Sequence, residues 1–143
     1  MPRVKLDLPE DFPFTTEIPL RITDINYGGH LGNDALLSLL HEARVQFLRN
    51  YGFTEADIDG SAIIMADAAI VYKSEAFYGD VSNVEVAVCD LQSHGCDFVY
   101  RVSNKETGEE IARAKTGIVF FDYLRRKLVH VPEKFRSLFI PTA

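Results

Sequence analysis

Between Asp24 and Asn33 the chain reads Asp-Ile-Asn-Tyr-Gly-Gly-His-Leu-Gly-Asn, a run whose polar members can move protons or hold an anion. His30 is of the type that serves as general base or as hydrogen-bond donor. Asn33 stands just before an apolar periodic stretch, which makes it a natural N-cap. The N–H groups around Gly32, Asn33 and Asp34 would then lie at the positive end of a helix, where a developing oxyanion is stabilised. Gly28, Gly29 and Gly32 permit an irregular backbone or the close approach of another molecule. Asp24 and Asp34 are the nearest carboxylates, and Glu42 follows two turns into the helix. Asn26 cannot be a base, because a neutral amide has no basic carboxylate oxygen, but it can position a water.

Structure alone would also account for each of these residues. Asn33 caps a helix whether or not chemistry occurs there. Asp24 and Asn26 are both suited to hold loop backbone through short side-chain hydrogen bonds. His30 in a glycine-rich loop can be a structural hydrogen bonder. Glu42 and Arg44 read as members of a helix-to-sheet or interface ion pair, and His41, His94 and His130 as solvated or packing histidines.

The elements that must position the loop follow from periodicity. Ile18, Leu20 and Ile22 alternate with polar neighbours and read as a first strand, with Pro19 pointing to an edge. A helix is predicted over about Asp34 to Tyr51, with Leu36, Leu40, Ala43 and Phe47 on one face and Leu37, Leu39 and Leu48 widening it. Its polar strip is narrow, so it must be covered on most sides. Gly52 is a plausible C′ residue. Ile63 to Phe77 is β-rich and long enough to bend. Val84, Val86 and Val88 alternate, as do Phe98, Tyr100 and Val102. Ala112, Ala114, Thr116, Ile118 and Phe120 form one strand face, with Arg113 and Lys115 on the other. Turns at Gln92 to Gly95 and Asn104 to Gly108 make these strands antiparallel hairpins. A short helix is expected near Val131 to Phe139. A sheet curling around one central helix satisfies the whole order, an α+β domain running over residues 1–143.

The 143 residues fit one domain. A net charge of −6 argues against a nucleic-acid binder, which needs a basic face. No apolar run approaches the roughly 20 residues of a membrane span. The first residues, Met1 to Phe14, are too often interrupted by charge and proline to read as a signal peptide. Cys89 and Cys96 are then expected as reduced thiols in a cytoplasmic protein. No Cys/His cluster suggests a metal site, and no cofactor is implied.

The arrangement Asp24-x-Asn26-x-x-Gly29-His30-x-x-Asn33, leading into a helix that carries His41-Glu-Ala-Arg44, resembles the hot-dog acyl-CoA thioesterases related to 4-hydroxybenzoyl-CoA thioesterase. Tyr78-Gly79-Asp80 after Val71-Tyr72 matches the strand ending in Gly-Asp of the same family. The resemblance spans about Ile18 to Asp122. Asn26 stands where the family usually carries its catalytic Asp, and Gly32 replaces the first Asn of the usual pair. The resemblance implies a hot-dog fold and hydrolysis of an acyl thioester to a carboxylic acid and free coenzyme A. It implies a homodimer or homotetramer with active sites built by two chains. Asp24, Asn26, His30 and Asn33 become the expected catalytic residues. Arg125, Arg126 and Lys127 are the expected contacts for coenzyme A phosphates, with Lys73 and Lys115 next in line. Two other readings stay open. One is a non-catalytic acyl-thioester binding protein, and the other a hydratase or dehydratase, which needs a different His/Asp arrangement.

Overall fold

The computed structural model describes residues 3–139. The expectation of a single domain over 1–143 extends, at residues 1–2 and 140–143, outside the described residues. The elements run in the order β1 (Phe14–Pro19), a 3-10 turn (Ile22–Asp24), α1 (Asn33–Asn50), β2 (Ala62–Tyr72), β3 (Val81–Cys89), β4 (Gly95–Asn104), β5 (Glu110–Asp122), β6 (Lys127–Leu128) and α2 (Glu133–Phe139). The sheet is antiparallel, in the order β1-β3-β4-β5-β2, with β6 added to β5. This is the predicted α+β hot-dog arrangement, a long helix wrapped by an antiparallel sheet.

The core forms where the apolar face of α1 meets the inward residues of the sheet. Leu36, Leu40, Ala43 and Phe47 are buried against Val84, Val86, Phe98, Tyr100, Ala114 and Phe120. Phe47 meets Phe14 and Phe98 edge-on, with centroids 5.7 and 5.5 Å apart, the arrangement aromatic quadrupoles favour. Phe135 of α2 closes one end of the core against Phe98 and Phe120.

Three boundaries differ from the sequence reading. The first strand is Phe14–Pro19 and ends before Leu20 and Ile22. Asp24 caps the backbone N–H of Arg21 at 2.8 Å, which winds Ile22–Asp24 into a 3-10 turn and leaves Ile22 exposed. The second strand stops at Tyr72, well short of Phe77, and carries a bulge between Met65 and Asp67. The N-cap of α1 is Gly32, and Asn33 is the first helical residue. Gly32 donates to the Asp24 carbonyl at 3.0 Å, so the loop closes one residue earlier than the capping preference of Asn33 suggests. Gly52 does lie just past the helix, with φ +82°.

Glu42 and Arg44, expected in a helix-to-sheet or interface ion pair, go different ways. Glu42 accepts from Gln46 at 2.8 Å. Arg44 points inward, donating to Glu55 at 2.9 Å and to the Tyr100 hydroxyl at 3.1 Å, and Tyr100 is bonded to Thr116 at 2.8 Å. His41, expected to be unpaired, lies 2.6 Å from the other Glu55 oxygen. The network gives the buried guanidinium, phenol and hydroxyl their hydrogen bonds, which burial otherwise makes costly to omit. His94 and His130 stack on one another with centroids 4.5 Å apart.

Burial alone would raise the pKa of Glu55, but hydrogen bonds from His41 and Arg44 outweigh it and hold the carboxyl below its usual range. A depressed carboxylate stabilises the fold above its unfolded pKa, and that stability is lost as pH falls through the folded value. Glu55→Gln should therefore cost about 1–3 kcal/mol at neutral pH. The difference from wild type should shrink below about pH 4, near the carboxylate range. Urea unfolding at both pH values measures it.

Candidate functional site

The glycine-rich loop is tied down by backbone and side-chain bonds. Asn26 donates its N–H to the His30 carbonyl at 2.9 Å, and Leu31 donates to the carbonyl of Ala76 at 2.7 Å. The Asn26 side-chain oxygen accepts from the N–H of Gly28 at 2.9 Å and, more weakly, of His30 at 3.5 Å. Gly28 leaves room for the Asn26 and His30 side chains to close over the loop. A Cβ there would lie 3.2 Å from the Asn26 oxygen and 3.3 Å from His30 Nε2. The imidazole is folded back against this glycine.

The Leu31–Ala76 bond brings the segment after β2 against the helix start. The result is a cleft of about 280 Å³ lined by His30, Asn33, Tyr72, Lys73, Ser74 and Glu75, with Leu31, Leu36, Ala76 and Ile111 as its apolar floor. His30 Nε2 lies 3.8 Å from a carboxylate oxygen of Glu75. The Tyr72 hydroxyl donates to the Asn33 carbonyl at 3.3 Å. Ser74 is fixed by donating to the Glu110 carbonyl at 2.8 Å. The N–H groups of the first helical turn precede the first intrahelical bond, made by Leu36 to Gly32 at 3.1 Å, so they are free of α-helical partners. A histidine, a carboxylate and a helix N-terminus thus meet in one place. Together they can activate a water and stabilise an oxyanion.

Of the four expected catalytic residues, the cleft gathers His30 and Asn33. Asp24 is elsewhere, 6% exposed and bound to Arg21, and it lines a second groove of about 450 Å³ with Ser38, His41 and Glu42 on the other side of α1. Asn26 spends its side-chain oxygen on the loop. Glu75 and Tyr72 were not singled out by sequence reasoning. Only the Tyr72 position fell in a noted motif, and nothing local links Glu75 to a loop 45 residues upstream.

The expected phosphate contacts lie far away in the same chain. Arg125 and Arg126 sit in the exposed turn between β5 and β6 and Lys127 opens β6, with Arg125 3.7 Å from Asp122. Phe121 is paired with Ala62, while the cleft lies past Tyr72 at the other end of β2. At about 3.3 Å per residue the two ends are roughly 30 Å apart. Lys115 is engaged on the outer face, 3.0 Å from Asp67. Lys73 lines the cleft itself.

A family model described as the thioesterase-like superfamily matches residues 20–139. The chain belongs to that superfamily. Solved structures agree on the fold. A 1,4-dihydroxy-2-naphthoyl-CoA thioesterase from Synechocystis is 24% identical, with 87% of this chain and 93% of that chain covered at a TM-score of 0.79. A hypothetical protein from Aquifex aeolicus is 23% identical over 90% of this chain and 100% of its own, at 0.80. A gentisyl-coenzyme A thioesterase is 14% identical over 86% and 99%, at 0.76. No curated protein matches the chain. No described helix of this superfamily member is long and apolar enough to cross a membrane.

The loop bonds of Asn26 give a direct test. Asn26→Asp keeps both acceptor interactions, so its melting temperature should stay at the wild-type value. Asn26→Ala removes them and should cost about 1 kcal/mol, the net worth of a typical hydrogen bond. Hydrogen exchange at the Gly28 amide should rise in the alanine variant alone.

Proposed function

We propose that this thioesterase-family chain hydrolyses an acyl-CoA to a carboxylic acid and free coenzyme A, with His30 as general base. The observation that carries the reading is the meeting of His30, Glu75 and the first turn of α1 in one cleft. The thioester carbonyl would point at the free N–H groups of that turn. His30 would take a proton from water as the oxygen attacks the carbonyl carbon. Glu75 would stabilise the imidazolium, and the proton would return to the departing thiolate. This assigns to a His–Glu pair the work that the family usually gives to an Asp at position 26. The thioesters named for the Synechocystis enzyme and for the gentisyl-coenzyme A thioesterase support a CoA-borne acyl group.

Position 26 also favours one second reading, a binding protein without turnover, because Asn26 offers no base. Thiol release from acetyl-, octanoyl- and benzoyl-CoA separates the two. If hydrolysis occurs, His30→Ala should lower kcat by about 10²–10⁴-fold, the usual worth of acid–base help. Glu75→Gln should lower it less, since the base remains. Full activity in His30→Ala would overturn the mechanism.

We further place the protein as a homodimer, or a dimer of such dimers, paired through β2. This strand is a sheet edge 11 residues long. Met65 shares the inward face with Ile63 and, beyond the bulge, with Ala68, Ile70 and Tyr72, yet it is 48% exposed. An apolar row on an open edge is a surface that another strand covers. Two β2 strands paired antiparallel about a twofold would set the Ala62 end of one beside the Tyr72 end of the other. The turn carrying Arg125, Arg126 and Lys127 would then adjoin the cleft of the partner subunit, where coenzyme A phosphates would lie. A cytoplasmic location fits the free cysteines. Cys89 pairs with Asp97 on the outer face, while Cys96 faces inward. Burial first, then nearby Asp97, pushes the Cys96 thiol up to about 12, which leaves it unreactive.

Light scattering should report a dimer or tetramer, and Met65→Lys should shift it toward monomer. Neutralising Arg125, Arg126 and Lys127 together should raise KM with little change in kcat, the sign of lost uniform binding.

A further inference from the structure

The Tyr72 phenol forms a third polar wall of the cleft, and the reaction outlined above leaves it unused. The residue is 51% exposed, and its hydroxyl makes one bond, to the Asn33 carbonyl at 3.3 Å. That carbonyl belongs to the first helical residue, and helix geometry already supplies it with the N–H of Leu37. The phenol's bond is therefore surplus to the helix and long for an O–H donor. It holds the hydroxyl beside the first turn of α1, in the cleft that His30 also lines.

We propose that the Tyr72 hydroxyl is a catalytic hydrogen-bond donor to the thioester carbonyl oxygen, sharing the oxyanion with the first-turn N–H groups; the proposal rests on the thioesterase reading above. On binding, the hydroxyl exchanges the Asn33 carbonyl for the substrate's. Water attacks the carbonyl carbon, the C=O pair moves onto oxygen, and the water proton passes to His30. Tyr72 holds that oxygen without giving up its proton. The pair then re-forms the C=O bond, the C–S bond breaks, and the thiolate takes the proton from His30. Partial burial, then the nearby Asp34 carboxylate, raises the pKa of Tyr72, so the phenol keeps the proton it must offer. A backbone N–H is removed only by proline, which also fixes φ, so Tyr72 is the member of this donor set that substitution tests most cleanly.

The test is Tyr72→Phe, which keeps the ring and removes only the hydroxyl. Because the lost bond is surplus, the variant should melt with wild type. Steady-state turnover on acetyl-, octanoyl- and benzoyl-CoA should show kcat lowered about 10²-fold, the scale for losing one oxyanion donor. KM should change little. In parallel, the infrared C=O stretch of carbonyl-¹³C-labelled acyl-CoA, taken on rapid mixing, should lie below its solution value in wild type and move back toward it in the variant. A wild type that turns over, with a variant of equal kcat and equal stretch, overturns the role of Tyr72 and leaves the thioesterase reading standing. A wild type that binds acyl-CoA without turnover overturns the enzymatic reading, and the stretch still decides whether Tyr72 donates. A wild type that neither binds nor hydrolyses any of the three overturns both.

Discussion

Leu36, Leu40, Ala43 and Phe47 lie along one side of α1 with almost no solvent exposure, and Leu39 and Leu48 extend that surface around the helix. Burying each of these leucine and phenylalanine side chains stabilises by about 1.5–3 kcal/mol. A helix apolar over so much of its circumference needs a cover that curves, and a twisted antiparallel sheet supplies it. The remaining architecture follows from this constraint. The sheet must be long enough to wrap, which makes β5 13 residues and β2 11. The sheet stays open, with β1 and β2 as its edges.

Wrapping also fixes where chemistry can happen. The helix start emerges at one end of the curled sheet, and the chain must cross that end twice: through the loop before α1, and through residues 73–80 between β2 and β3. The two crossings are joined by the Leu31–Ala76 and Leu20–Asp80 backbone bonds. Those bonds are main-chain and sequence-independent, yet they bring His30 to Glu75 and Tyr72 to Asn33. The cleft is a by-product of how the sheet ends.

Among the described residues, Arg44 is a charged side chain buried within this packing. It sits on the helix face that must be buried, so its charge is met by Glu55 outside and by the Tyr100 hydroxyl inside, which is bonded in turn to Thr116. Burial works against the charged guanidinium, but the bonds to Tyr100 and Glu55 prevail and keep its pKa raised. Such a network adds little net stability over an apolar replacement. The apolar face of α1 sets how the helix is rotated inside the sheet, and the network satisfies the guanidinium that lies on that face.

Much of the fold was legible because its signals are local. Period two marked the strands from Val84 onward, period 3.6 marked α1, and glycine and asparagine marked the turns, since each depends only on near neighbours. Errors arose where a long-range or irregular bond overrode a local preference. Asp24 turned Ile22 out of the first strand, and the Gly32–Asp24 bond moved the helix cap from Asn33. The loop motif led the sequence reading to His30 and Asn33, and in the same run to Asp24 and Asn26, which the fold turns to other uses. By itself the sequence determined an amphipathic helix, a set of hairpins and a polar glycine-rich loop, because composition and spacing encode those directly. Only the tertiary structure decided that Glu75 faces His30, that Arg44 pairs with Glu55, and that the Arg125–Lys127 turn is remote from the cleft. Each of these depends on which backbone segments lie side by side after the sheet curls, and no local rule carries that information.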